Sequence, residues 1–160
     1  MNTFTKLSLS IAAALTLSSV AQANDVTLKG EVHPICEING LPGEIDFGYN
    51  PVNGTSDHHN IWVQCNSKAG ASIELDSLYG GLLLEGEEDT DHVVSYWAGI
   101  EIPSEDFTIL GGGSETSQEY IDGSKMLAMG TEGGFWVRVD EDAKFAGKYT
   151  DVLTVSITAE

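Results

Sequence analysis

The stretch Gly147-Lys148-Tyr149-Thr150-Asp151-Val152-Leu153-Thr154-Val155-Ser156-Ile157-Thr158-Ala159-Glu160 decides the fold class. A Gly-Lys-Tyr-Thr-Asp turn runs straight into an alternating row. Leu153, Val155 and Ile157 share one face, and Thr154, Ser156 and Thr158 share the other. A period of two, with β-branched residues on both faces, predicts a strand with one buried side.

The same period recurs upstream. Val26, Leu28, Gly30 and Val32 alternate with Thr27, Lys29 and Glu31, which predicts a first strand. Pro34 removes a backbone donor, so that strand is at an edge or breaks there, and Ile35 to Ile38 resume it. Ile45-Asp46-Phe47-Gly48-Tyr49 is read as a short strand ending at Pro51. Asp57-His58-His59 is read as a loop after the Asn53-Gly54 turn. Ile61, Val63 and Cys65 point one way, and Trp62 and Gln64 the other. Ile73 and Leu75 follow the same rule against Glu74. Leu82 to Leu84, Val93 to Ile102, Met126 to Met129 and Phe135 to Asp140 are further extended segments, whereas Ser114 to Tyr120 is the only candidate helical turn. Many short strands, frequent turn residues and no long 3.6-residue period predict an all-β sandwich.

The first 23 residues stand apart. Lys6 gives a basic start, Leu7 to Leu17 an apolar run, and Ala21-Gln22-Ala23 a small-residue cleavage site. These are the parts of a secretory signal peptide, too short in its apolar run for a membrane span. Residues 24–160 then form a single domain with no further stretch long and apolar enough to cross a bilayer. Export also bears on Cys36 and Cys65, the only cysteines. An even count outside the reducing cytoplasm, with no C-x-x-C partner, predicts a disulfide.

The formal charge is −18, with 25 acidic residues against 7 basic ones. Nucleic acid and anionic lipid need clustered Lys and Arg, so neither is an expected partner. His33, His58, His59 and His92, with Asp57, Asp89 and Asp91, lack the spacing of zinc ligands. The runs Glu85 to Asp89 and Asp140 to Asp142 do not follow the D-x-[DN]-x-[DN]-G calcium loop. No G-x-S-x-G elbow and no phosphate-binding glycine loop is present. The expectation is a non-enzyme without metal or cofactor. Trp62 and Trp136 are expected to face outward, where an indole can stack on a sugar, enter a subunit contact or lie under a loop.

The order of these features resembles a known family. An alternating segment leads to Cys36, Ile45-Asp46-Phe47-Gly48-Tyr49 and Pro51 follow, and a strand then ends in Cys65. Ala146-Gly147-Lys148-Tyr149-Thr150-Asp151-Val152-Leu153-Thr154-Val155 closes the series. This looks like the pilin-type subunits of bacterial chaperone–usher fimbriae, in particular the spore coat protein U-like, or archaic, branch. The resemblance implies an immunoglobulin-like sandwich lacking one strand. A periplasmic chaperone would cover the open groove, an outer-membrane usher would secrete the subunit, and a neighbouring subunit's N-terminal segment would finally fill the groove. Carried onto this chain, residues 24–33 are the donor, with Val26, Leu28, Gly30 and Val32 facing the groove. The strand carrying Leu153, Val155 and Ile157 borders the acceptor groove. The protein would then reside in a cell-surface fimbrium, where a host or surface receptor is a further partner. The competing expectation is a self-complete secreted sandwich that binds carbohydrate or a host surface through Trp62 and Trp136.

Overall fold

A computed structural model of the chain describes residues 26–49, 51–87, 92–112 and 116–160. The signal-peptide reading falls on residues 1–23, outside the described residues. The chain divides into two units, Met1–Glu31 and Val32–Glu160. In the first, residues 26–31 carry no regular secondary structure, and Val26 and Leu28 are exposed. The second unit holds all the strands.

The fold is all-β and antiparallel. β1 (Cys36–Asn39), β2 (Ser56–Cys65), β9 (Thr131–Val139), β6 (Tyr96–Ile102) and β7 (Phe107–Gly111) form a five-stranded sheet in that order. A three-stranded sheet is ordered β11 (Leu153–Ala159), β3 (Gly70–Ser77) and β8 (Ser117–Asp122). A small third sheet joins β10 (Tyr149–Thr150), β4 (Leu82–Leu84) and β5 (Val93–Val94). Ile61, Val63, Ala98, Ile100, Ile109, Phe135 and Val137 of the five-stranded sheet share one core with Ala71, Ile73, Leu75 and Ile121 of the other. Two sheets whose inward rows meet in one core make a sandwich. The inward rows on β2 and β3 are those the alternation picks out.

Five local expectations are corrected, the last of them the first strand expected over Val26 to Val32. Residues 45–49 form no strand, because Gly48 takes a positive φ of 78° and its N–H bonds back to the Asp46 carboxylate at 2.8 Å. Ile45 and Phe47 still pack on the core, so their alternation reports burial without a ladder. Asp57-His58-His59 lies within β2, not in a loop, paired residue for residue with Val137, Trp136 and Phe135. Lys125–Met129 is a helical turn (α1) rather than a strand. The Ser124 hydroxyl caps it by accepting from Leu127 N–H at 2.9 Å, while Leu127 fills the core. Ser117–Asp122 is strand β8, where a helical turn was expected; residues 114 and 115 of that segment lie outside the described residues. The Val26–Val32 segment belongs to no ladder.

Cys36 and Cys65 are disulfide-bonded. They stand directly opposite each other in the β1–β2 ladder, with Cα atoms 4.0 Å apart. The bond ties a short edge strand to an interior one and closes a 29-residue separation. Replacing both cysteines by Ala is expected to cost about 3 kcal/mol, chiefly by freeing the unfolded chain. Urea unfolding of the disulfide-bonded protein with and without reductant measures this. Equal midpoints would mean that the bond constrains nothing.

Candidate functional site

The strands that the sequence marks as special meet at one side of the sandwich. Among the described residues, β11 is the outermost strand of its sheet, paired only to β3, and β1 is an outermost strand of the five-stranded sheet, paired only to β2. The two come within 8 Å of each other, yet no ladder joins them.

Side-chain burial shows the effect. Leu75 and Ile73 on β3 are 0 % exposed, whereas their cross-strand neighbours Val155 and Ile157 on β11 are only partly buried. Leu153 behaves in the same way, as do Cys36 and Ile38 on β1. All five pack against the core from the open side. An edge strand also turns alternate N–H and C=O groups away from its one partner. The side therefore offers unpaired backbone groups along a row of apolar side chains. That is the form a further strand would complete.

At the Leu153 end the open side deepens. Irregular residues 42–47 arch over a pit of about 150 Å³ that reaches Tyr96, Phe135 and Leu153. A broader cavity of about 590 Å³ lies between residues 44–49 and the Gly147–Asp151 segment that contains β10.

The Gly-Lys-Tyr-Thr-Asp segment, expected as a turn, contains strand β10, whose Tyr149 and Thr150 pair with Leu84 and Leu83, and its Asp151 has a physical task at this position. The Asp151 carboxylate accepts from Ser77 Oγ at 2.6 Å, Tyr96 Oη at 2.6 Å, Tyr79 N–H at 3.1 Å and Val152 N–H at 2.8 Å. It thereby ties β6, the end of β3 and the start of β11 together. Burial pushes the Tyr96 phenol well above its ordinary value, and the hydrogen bond it donates to Asp151 adds to the shift. A raised phenol pKa gives stability that is complete below about pH 10, where the unfolded chain titrates, and that is lost as pH rises beyond it. Tyr96→Phe should therefore cost about 1 kcal/mol at pH 8. The gap to the native chain should narrow between pH 10 and 11. Thermal midpoints at both pH values test this, and a gap that widens with pH would contradict it.

The N-terminal side has its own anchor. Pro34 cannot donate to a ladder, and Asn66 compensates. Its Oδ1 accepts from Ile35 N–H at 2.8 Å, its Nδ2 donates to the His33 carbonyl at 2.8 Å, and its own N–H donates to the Ile35 carbonyl at 2.9 Å. Val32, just before this clamp, is exposed. Val26, Leu28, Gly30 and Val32 thus carry their alternating row outside every ladder.

Trp62 and Trp136 lie on the outer face of the five-stranded sheet, Trp62 exposed and Trp136 partly so. Each indole covers a glycine: Trp62 lies on Gly130 and Trp136 on Gly99. The His58 ring stands 6.5 Å from that of Trp136. Trp97, which the sequence reading did not single out, is exposed on the same face. His58 and His59 point to opposite sides of β2, and His59 pairs with Asp57 at 3.2 Å. Among the described residues no three His, Cys, Asp or Glu side chains converge, and no helix is long and apolar enough to cross a membrane.

No family model, curated protein or solved structure matches this chain.

Proposed function

We propose that this chain is a structural subunit of a bacterial surface fimbria, an incomplete immunoglobulin-like sandwich assembled by donor-strand exchange with the help of a chaperone and an usher. The observation that carries the reading is the β11 edge. Its inward row, Leu153, Val155 and Ile157, is left partly buried beside β1, to which no ladder joins it, whereas Ala71, Ile73 and Leu75 of β3 are fully buried. The alternating segment Val26, Leu28, Gly30 and Val32 supports it from the other side, as an extended apolar row without a ladder. On this reading each subunit's segment lies along the preceding subunit's β11, adding main-chain hydrogen bonds and burying alternate side chains. Gly30 would meet a part of the groove too shallow for a side chain.

A peptide spanning residues 24–33 tests the fit directly. A chain lacking those residues should be unstable alone and gain thermal stability as the peptide is added, following the mass-action law for a ligand of the folded state. A scrambled peptide should do nothing. If the native and scrambled peptides act alike, β11 is not an acceptor.

A further inference from the structure

The outer face of the five-stranded sheet carries a depression with a different chemical character. Gly134 sits on β9 between Asn60 of β2 and Glu101 of β6, which are its direct cross-strand neighbours. The adjoining row places Asn39, Trp62 and Glu132 side by side on β1, β2 and β9. All five of these neighbours have long or planar side chains, while Gly134 has none. A Cβ built there would meet nothing within 4 Å. The result is a shallow hollow of about 680 Å³ toward one end of the sheet, at the end of β1 and β6 and the start of β9, with Gly133 and Gly134 in its floor.

The rim decides what could occupy it. Glu101 and Glu132 supply two carboxylates, Asn39 and Asn60 two carboxamides, and Trp62 an exposed indole; no Lys or Arg lines the hollow. Carboxamides and carboxylates pair with hydroxyl and ammonium groups, and an indole covers C–H faces and attracts cations. Acidic sugars, phosphates and nucleic acid would meet two like charges. An alkyl ligand would leave four polar side chains without partners.

We propose that the hollow at Gly134 is a binding subsite for an amino sugar. Its ammonium is held by Glu101 and Glu132, its hydroxyls by Asn39 and Asn60, and its ring lies against Trp62. The site lies on the sheet's outer face, away from the inward row of β11, and does not depend on the fimbrial reading. It places a carbohydrate-binding function on the outer face of the sandwich.

The test uses the full exported chain in calorimetric titrations with the glucosamine tetramer at low salt. The N-acetylglucosamine tetramer and tetralysine are the comparison ligands, because a protein of charge −18 attracts polycations without any site. The glucosamine tetramer is expected to bind about tenfold more tightly than either comparison ligand, since only it offers both ammonium and ring. Gly134→Leu fills the hollow and should weaken it by about tenfold or more, with tetralysine binding unchanged. Glu101→Gln, which keeps shape and removes charge, should weaken it severalfold and serves as the second variant if Gly134→Leu does not fold. Tetralysine binding as tightly as the amino sugar would overturn the proposal. So would an affinity unmoved by Gly134→Leu and Glu101→Gln, and equal binding of the acetylated tetramer would overturn the role of the carboxylates.

Discussion

Leu28→Asp is expected to abolish the ladder of oligomers that unboiled surface extracts of a donor-strand fimbria give on a gel, while leaving the subunit itself folded. The side chain is exposed within its own chain, so the substitution removes nothing from that fold. In a neighbour's groove the loss is large. About 1.5–3 kcal/mol of apolar burial disappears, and a carboxylate without a partner enters the space between two sheets. Ile157→Asp should fail differently. Ile157 packs on the core beside Ile73, so a charge there should reduce the amount of folded subunit before any assembly step. Lys29, on the opposite face of the segment, should tolerate Ala or Glu with an unchanged ladder. A native ladder from Leu28→Asp would exclude residues 24–33 as a donor. The self-complete binding module would then be the better reading.

The second large effect is expected at Asp151. Asp151→Ala strips acceptors from two hydroxyls and two backbone N–H groups at once. Hydrogen bonds to a carboxylate contribute more than neutral ones, and donors left in a partly buried junction lose their partner without regaining full hydration. A loss of about 4 kcal/mol is expected, lowering the thermal midpoint by roughly 10–15 °C for a domain of this size. Asp151→Asn is the informative companion. The hydroxyls of Ser77 and Tyr96 can turn to accept from a carboxamide, whereas Tyr79 and Val152 N–H can only donate. One orientation of Asn therefore satisfies all four groups at reduced strength, and about half the loss should be recovered. A cost below about 1 kcal/mol for Asp151→Ala would show that the junction is held by packing alone.

These two sites differ in how far the sequence reveals them. Leu153, Val155 and Ile157 are legible because one face of β11 is apolar and the other carries hydroxyls, and a buried face leaves just that trace. β8 is illegible for the converse reason. It is an edge strand whose only buried side chain is Ile121, so Ser117 to Tyr120 show no alternation to read. The run Met126 to Met129 is apolar without a period, and the usable cue was Ser124, whose hydroxyl caps the turn. Residues 45–49 alternate because Ile45 and Phe47 both reach the core, but Gly48 bends the backbone out of any ladder. Asp151 looked like the end of a turn motif, since its partners Ser77 and Tyr96 are 74 and 55 residues away. The hollow at Gly134 could not be read at all. An absent side chain becomes a site only when the registers of β1, β2, β9 and β6 set its neighbours.

The Asn66 clamp and the cross-strand disulfide also determine how this protein bears load. A pull on the segment before Pro34 passes through His33 and Ile35, both gripped by Asn66, and reaches Cys36 next. There the covalent bond hands the tension to Cys65 at the end of β2, a strand flanked on both sides. The chain between the cysteines is thereby removed from the line of force. Its 29-residue separation would otherwise run out as about 100 Å of slack. Under tension the bond makes the unit a short, stiff link rather than an extensible one.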